Sequence, residues 1–290
     1  MASQRDIRRR IGAVRNIRQI TRAMQFVAAS KLRRAQEATL AARPYAEKLD
    51  EVLADLAAVL GDEHHPLLAR PVGGTRLLVV ITTDRGLAGP LNANTIRFAL
   101  KEAAEHEGRL TAVTVGRKGR DALRRTGIPI AAHFNGFGDK PSFGDVTPLS
   151  RLVSDDFLSG TYGQIDLVYP RFLSTLVQRP TAEPLLPIRP GPNAPRVLGN
   201  QFIFEPDPAT VLRRLLPRYV ATRVFQAILE TTASEMSSKM VAMKSATENA
   251  EELIDDLTLS YNKVRQANIT REMIEIASGA RAGHQALTEA

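Results

Sequence analysis

Both ends of this 290-residue chain carry one apolar repeat, held over a longer stretch than a single compact domain can bury. Alternating strides of three and four residues from Ile7 meet Arg10, Val14, Ile17, Thr21, Met24, Ala28, Lys31, Ala35, Ala38, Ala42, Tyr45, Leu49, Val52, Leu56 and Val59. Thirteen of these sixteen positions are apolar, against about seven expected from a 43% apolar composition. A 3.5-residue period sustained this far is a coiled-coil seam. Pro44 falls within the register and predicts a kink or local loosening there. From Leu229 the same strides give Ala233, Met236, Met240, Met243, Thr247, Ala250, Ile254, Leu257, Tyr261 and Val264. This second helix is expected to start near Asp207-Pro208, with an Asp cap and Pro in the first turn, and to run to about Gly279 or beyond. Pro217 should bend its first turns. Ala and Met dominate both seams, which allows close approach and adaptable packing. Each helix has only the other as partner, so the expected shaft is an antiparallel coiled coil of residues 1–60 and 207–290.

Charge suggests a register. Net charge is +8, and residues 1–34 hold ten bases against Asp6 alone. Such a block either seeks an anionic partner or forms a solvated helix face. Its bases centre near residue 12, whereas Glu248, Glu251, Glu252, Asp255 and Asp256 centre near residue 252. Antiparallel pairing with residue numbers summing to about 264 would bring the clusters together, each exposed pair worth at most about 1 kcal/mol. That register leaves residues beyond about 263 as an unpaired overhang of roughly 30 Å.

Between the helices the period changes. Leu77–Thr83, Leu110–Val115, Pro129–Phe134, Ile165–Tyr169 and Thr175–Leu185 read as strands. Helices are expected over Asn92–His106, Arg117–Thr126 and Pro148–Ser159. Short loops and strand–helix alternation predict a small Rossmann-like α/β domain over residues 75–190 with a largely parallel sheet. The five prolines from Pro184 to Pro195 mark a stiff exit, and residues 191–206 are expected to be a linker.

No site for catalysis is legible. The chain has no cysteine, which excludes disulfides, thiolate metal sites and a Cys nucleophile. The loop Asp84-Arg85-Gly86-Leu87-Ala88-Gly89-Pro90 lacks dinucleotide-binding spacing, and no Gly-Lys-Ser/Thr phosphate loop occurs. Gly116-Arg117-Lys118-Gly119 reads as a tight turn rather than an anion cradle. His64, His65, His106, His133 and His284 form no metal-spaced pair. No catalytic residue, cofactor or metal site is therefore expected. The charged N-terminus has no signal-peptide core, and no uninterrupted apolar run reaches 18 residues.

Three stretches carry a resemblance. They are Ile20–Leu32 (ITRAMQFVAASKL), Thr83–Asn92 (TDRGLAGPLN) and the C-terminal pair Met240–Asn249 (MVAMKSATEN) and Tyr261–Ala280 (YNKVRQANITREMIEIASGA). Together with length and segment order they resemble the γ subunits of F-type ATP synthases, bacterial type, over essentially the whole chain. The resemblance implies a non-catalytic central-stalk rotor that couples proton or other ion flow to ATP synthesis. Its implied partners are the α and β subunits of the ring, the ε subunit and the c-ring, with no nucleic acid and no insertion into the bilayer. Met24 resembles the position facing the lever loop of β. Arg265, Gln266, Thr270 and Glu272 resemble contacts with the ring's catch regions. Lys239 stands where relatives often have Arg, keeping the charge and losing the bidentate fork. Asp84, Arg85 and Gly86 resemble a contact with ε or the stalk. Without a transit peptide or the cysteine-bearing chloroplast insertion, the resemblance implies the cytoplasmic face of a bacterial membrane.

Overall fold

The computed structural model describes residues 3–60, 65–68, 74–189 and 205–288, with side chains to residues 56 and 279 in the two long helices. Residues 191–204 of the expected linker lie outside the described residues, as do His64 and the side chains of Val59, Ala280 and His284. The elements are α1 (Gln4–Leu60), β1 (Thr75–Ile81), α2 (Leu91–Ala104), β2 (Leu110–Val115), α3 (Arg117–Leu123) and β3 (Ile130–Phe134). They continue as α4 (Thr147–Leu158), β4 (Tyr162–Phe172), β5 (Gln178–Leu186) and α5 (Pro208–Thr288). α1 runs through Pro44 and α5 through Pro217 without a break in the helix. The last strand begins three residues later than expected, and β5 takes in Pro184, so the strand reaches into the proline-rich stretch. The chain divides into two compact units, residues 1–26 with 242–290, and residues 27–241.

The first unit is a helix pair. Ser3 and Asp6 close the start of α1, the Asp6 amide donating to Ser3 Oγ at 3.2 Å and Ser3 Oγ to Asp6 Oδ2 at 2.8 Å. Ile7, Ile11 and Ile254 are buried together, with Val14, Leu257, Tyr261 and Val264 packed around them. Gln4 Nε2 donates to the Tyr261 hydroxyl at 3.0 Å, and the Thr21 and Thr247 hydroxyls share a hydrogen bond at 2.8 Å. The seam expected along α5 is the one observed: Met243, Thr247, Ala250 and Ile254 are buried, and Leu257, Tyr261 and Val264 half-buried.

On α1 one of the two seam positions differs from expectation. Here Ile7 is joined by Ile11 instead of Arg10, and Ile17 is 52% exposed. In the second unit α1 buries Ala28, Leu32, Ala35, Thr39, Ala46, Leu49, Leu53 and Leu56, so Lys31, Ala38, Tyr45 and Val52 give way to their C-terminal neighbours. Both choices keep a 3.5-residue period. Packing selected the one that puts Ile11, Leu32 and Leu53 inside.

The register falls close to the expected sum of about 264, but the charge pairs that suggested it are not the ones that form. Across the two helices Arg18 meets Glu251 at 3.6 Å with both side chains nearly half exposed. Among the described ion pairs none joins Arg8, Arg9 or Arg10 to Glu248, Glu252, Asp255 or Asp256. The pairs Gln4–Tyr261, Thr21–Thr247 and Arg18–Glu251 have residue numbers that sum to 265–269. Apolar burial outweighs exposed pairs of at most about 1 kcal/mol, so the isoleucine cluster sets the alignment.

In the second unit the sheet order is β3-β2-β1-β4-β5. β1, β2, β3 and β4 are mutually parallel, and β5 returns antiparallel beside β4. Leu77–Ile81 of β1 are all at most 1% exposed, as a strand covered on both faces must be. One face packs on α2 and α3 through Ala99 and Leu123. The other packs on α4 and on the long helices through Leu49, Leu53, Leu212, Val220 and Ile228. α5 is therefore buried nearly all round between Tyr219 and Ser238. Asp207 caps it, accepting from the Thr210 amide at 2.8 Å and from the Thr210 hydroxyl at 2.7 Å.

Candidate functional site

The first residues of the loop after β1, Thr82 to Asp84, are tied down by hydrogen bonds. Thr82 Oγ1 donates to the Val115 carbonyl at 2.9 Å and accepts from the Gly119 amide at 2.8 Å. Gly116 has φ +87°, and a Cβ there would stand 2.3 Å from the Thr82 carbonyl oxygen. The two strand ends thus approach more closely than any side chain allows. Asp84 accepts from the Arg117 amide at 3.0 Å and the Gly136 amide at 2.9 Å, joining the loops after β1, β2 and β3. Thr83 donates its hydroxyl to the Arg85 carbonyl at 2.6 Å, and its amide to Asn92 Oδ1 at 3.1 Å. Arg85 and Leu87 are left exposed, with Asp84 and Gly86 half-buried.

A cleft of about 340 Å³ opens at these strand ends, walled by Ile228, Thr231, Thr232 and Glu235 of α5. Its three carboxylates are all engaged. Asp84 holds the two amides, Glu235 Oε1 accepts from Lys239 Nζ at 2.8 Å, and Asp139 is paired with Lys31. The Lys31 hydrogen bond holds the Asp139 carboxyl below the usual carboxylate range. A carboxylate so engaged is a poor general base. Among the described residues no group of three or more His, Asp or Glu side chains is gathered for a metal ion. The cleft is a joint between loops and helices.

Lys239 is therefore spent inside its own helix, its side chain only 14% exposed. Met24 is half-buried beside the seam. Arg265, Gln266, Thr270 and Glu272 are all exposed on α5 beyond the last residue of the apolar cluster, Val264. Ile269, Met273, Ile274 and Ile276 on the same segment are 49–72% exposed. The residues singled out from the sequence thus fall into three places: the tip of α5, the middle of the long helices, and the loop after β1.

Sequence reasoning missed two partly buried ionic clusters. Arg76 Nε donates to Asp166 Oδ2 at 2.6 Å and Nη2 to Glu102 Oε2 at 3.2 Å. Arg223 Nη2 grips both oxygens of Asp50 at 2.7 and 2.8 Å, and its Nη1 faces Glu183 Oε1 at 3.4 Å. Burial pushes the Tyr219 hydroxyl, which receives a hydrogen bond from Arg223, up to about 12. Charges inside strands or on a helix buried all round are the only sequence signal, and it names no partner.

A family model described as ATP synthase matches residues 3–282. The ATP synthase gamma chain of Dehalococcoides mccartyi (strain CBDB1) is 49% identical over 284 residues, covering 97% of this chain and 99% of that one. The chain belongs to the ATP synthase gamma chain family. Another family member, the gamma chain of Desulfitobacterium hafniense (strain DSM 10664 / DCB-2), is 50% identical over 283 residues, with the same shares covered. Among solved structures, the Tetrahymena thermophila mitochondrial ATP synthase central stalk/c-ring contains a chain with TM-score 0.59 and 25% identity. The match covers 78% of this chain and 99% of that one. A chain of the Euglena gracilis mitochondrial ATP synthase OSCP/F1/c-ring structure has TM-score 0.69 at 20% identity, covering 97% and 94%, and shares the gamma-chain fold. No described helix of this family member is long and apolar enough to cross a membrane.

Proposed function

We propose that this gamma-chain family member is the central-stalk rotor of an F-type ATP synthase, coupling proton or other ion flow through a membrane sector to ATP synthesis in an α3β3 ring. It contributes no catalytic site of its own. The observation that carries this reading is the tip of α5: past Val264 the helix continues to Thr288, with four large apolar side chains standing in water at Ile269, Met273, Ile274 and Ile276. A single helix with such a surface is marginal unless something encloses it. A ring of α and β subunits is that enclosure. Residues 1–60 and 207–290 work as the shaft, 75–190 as the head, and 191–206 as the linker.

Arg265, Gln266, Thr270 and Glu272 face the ring's catch regions, and Met24 faces the levers of β. Lys239, held by Glu235, contributes charge near that contact without a fixed pairing to the stator. The exposed Arg85, carried on the loop that Asp84 and Gly86 shape, meets the ε subunit, and the c-ring carries the foot of the stalk. The protein works as a peripheral component of the membrane-bound complex, on the cytoplasmic face of a bacterial cell membrane.

Photo-crosslinking in the assembled complex tests this. A photoreactive residue at 266 or 270 should crosslink to α or β, and one at 85 to ε. Failure of the chain to assemble with α and β would sink the reading.

A further inference from the structure

The two edges of the sheet are built differently. β5 carries Pro180 and Pro184 together with Arg179 and Glu183, features that discourage another strand from pairing. Among the described strands β3, Ile130–Phe134, pairs with β2 alone, and it contains neither proline nor a fixed charge. Pro129 stands outside the strand, and the pairing with β2 steps from Ala112–Ile130 to Val113–Ala132, so Ala131 is the extra residue of a bulge near the start of β3. Ala131 is exposed and Ala132 half-buried, so an approaching backbone meets small side chains. Beyond the bulge, Ala132, His133 and Phe134 form an edge with neither proline nor fixed charge, where the other edge carries both.

Beside it runs a groove of about 610 Å³, lined by Arg120 and Arg124 of α3 and its following turn, by Gly127 and Ile128, and by β3 itself. The sequence Arg117-Lys118-Gly119-Arg120-Asp121-Ala122-Leu123-Arg124-Arg125 sets five bases against one acid. That acid is already taken, Asp121 Oδ1 accepting from Arg120 at 2.9 and 2.8 Å. Among the described ion pairs none uses Lys118, Arg124 or Arg125. An unpaired strand edge supplies main-chain hydrogen bonds, and the guanidinium groups beside it select charge.

We propose that β3 and the α3 groove form a docking site for an extended acidic segment of a partner polypeptide. The segment adds as a sixth strand beside β3, its acidic side chains reaching Arg124 and competing with Asp121 for Arg120. A nucleic-acid strand would satisfy the bases but would leave the strand edge unused, so the open edge favours a peptide. This inference goes beyond the rotor reading and does not depend on it, because the whole groove belongs to the α/β part of the chain.

The test uses the full-length chain and an acetylated octapeptide of alternating Glu and Thr. Hydrogen exchange should show slower exchange across residues 130–134 at saturating peptide, and anisotropy of labelled peptide should give a saturable curve. Replacing both bases (R120E with R124E) should weaken binding about tenfold or more, with an unchanged melting curve confirming the fold. A peptide N-methylated at alternate amides, which leaves the protein untouched, should lose the protection altogether. The proposal is overturned by absence of β3 protection at millimolar peptide, or by equal binding of the N-methylated peptide or a Lys-Thr peptide. Stronger binding of an eight-residue oligothymidine would overturn it as well.

Discussion

Arg76 shows how a single side chain can hold the head of this molecule together. It joins β1 to Asp166 on β4 and to Glu102 on α2, and Asp166 is 4% exposed at its side chain. Arg76→Ala removes the cation and strands a buried carboxylate, so it should cost about 3 kcal/mol, read as a lower urea midpoint. Replacing both partners (R76M with D166L) should cost less than the single change. Glu230 poses the opposite problem. Burial raises its pKa above 4.5, more than Arg171, the Gln226 hydrogen bond, the Phe172 amide and Arg43 together lower it. The folded state then holds a proton that the unfolded state releases, so the stability tied to this group is present below the unfolded pKa and is lost as pH rises through the folded one. Glu230→Gln should therefore stabilise the chain at neutral pH and have little effect near pH 4, as measured by melting temperatures at both. Equal shifts at the two pH values would place the effect in packing.

At the scale of elements, the helix pair should obey its isoleucines more than its charges. Reversal of Arg8, Arg9 and Arg10 to Glu removes no described ion pair to α5, so hydrogen-exchange protection around Ile254 should stay unchanged. Ile254→Ala removes part of the buried cluster with Ile7 and Ile11, and should cost about 2 kcal/mol with loss of that protection. Protection that follows the arginines instead would mean that long-range charge, not the seam, sets the register. The element boundaries were mostly legible, since β2 and α5 begin where periodicity and the Asp207 cap put them. The phase of α1 was not. Val14, Thr21, Ala28 and Leu49 fit either choice of second seam position, and only the partner surface distinguishes Ile11 from Arg10 or Leu53 from Val52.

For the whole molecule, the tip of α5 separates folding from function. Val264 belongs to the apolar cluster but residues 265–279 are exposed apart from the half-buried Asn268. Truncation after Arg265 should move the melting temperature of the free chain by no more than about 2 °C while lowering coupled turnover in the assembled enzyme. Unfolding of the truncated chain would mean that the tip packs on its own protein. The isolated full-length chain should show no micromolar, Mg-dependent ATP binding by calorimetry, because the carboxylates of the cleft at the strand ends are engaged by amides and lysines.

Local patterns in the chain were enough for whatever repeats or is contiguous: two long helices from a 3.5-residue period, strands from apolar runs, and family membership from contiguous motifs. Periodicity needs no knowledge of the partner, because it states only that one face is apolar. The tertiary structure decided everything that depends on distance between remote residues. It chose the seam that buries Ile11, set the helix register by aliphatic packing instead of charge, and paired Arg76 with Asp166 and Arg223 with Asp50. It also left a sheet edge with no partner among the described strands, beside Arg124. Such choices balance burial against desolvation across the chain, and no local window of sequence contains both sides of that balance.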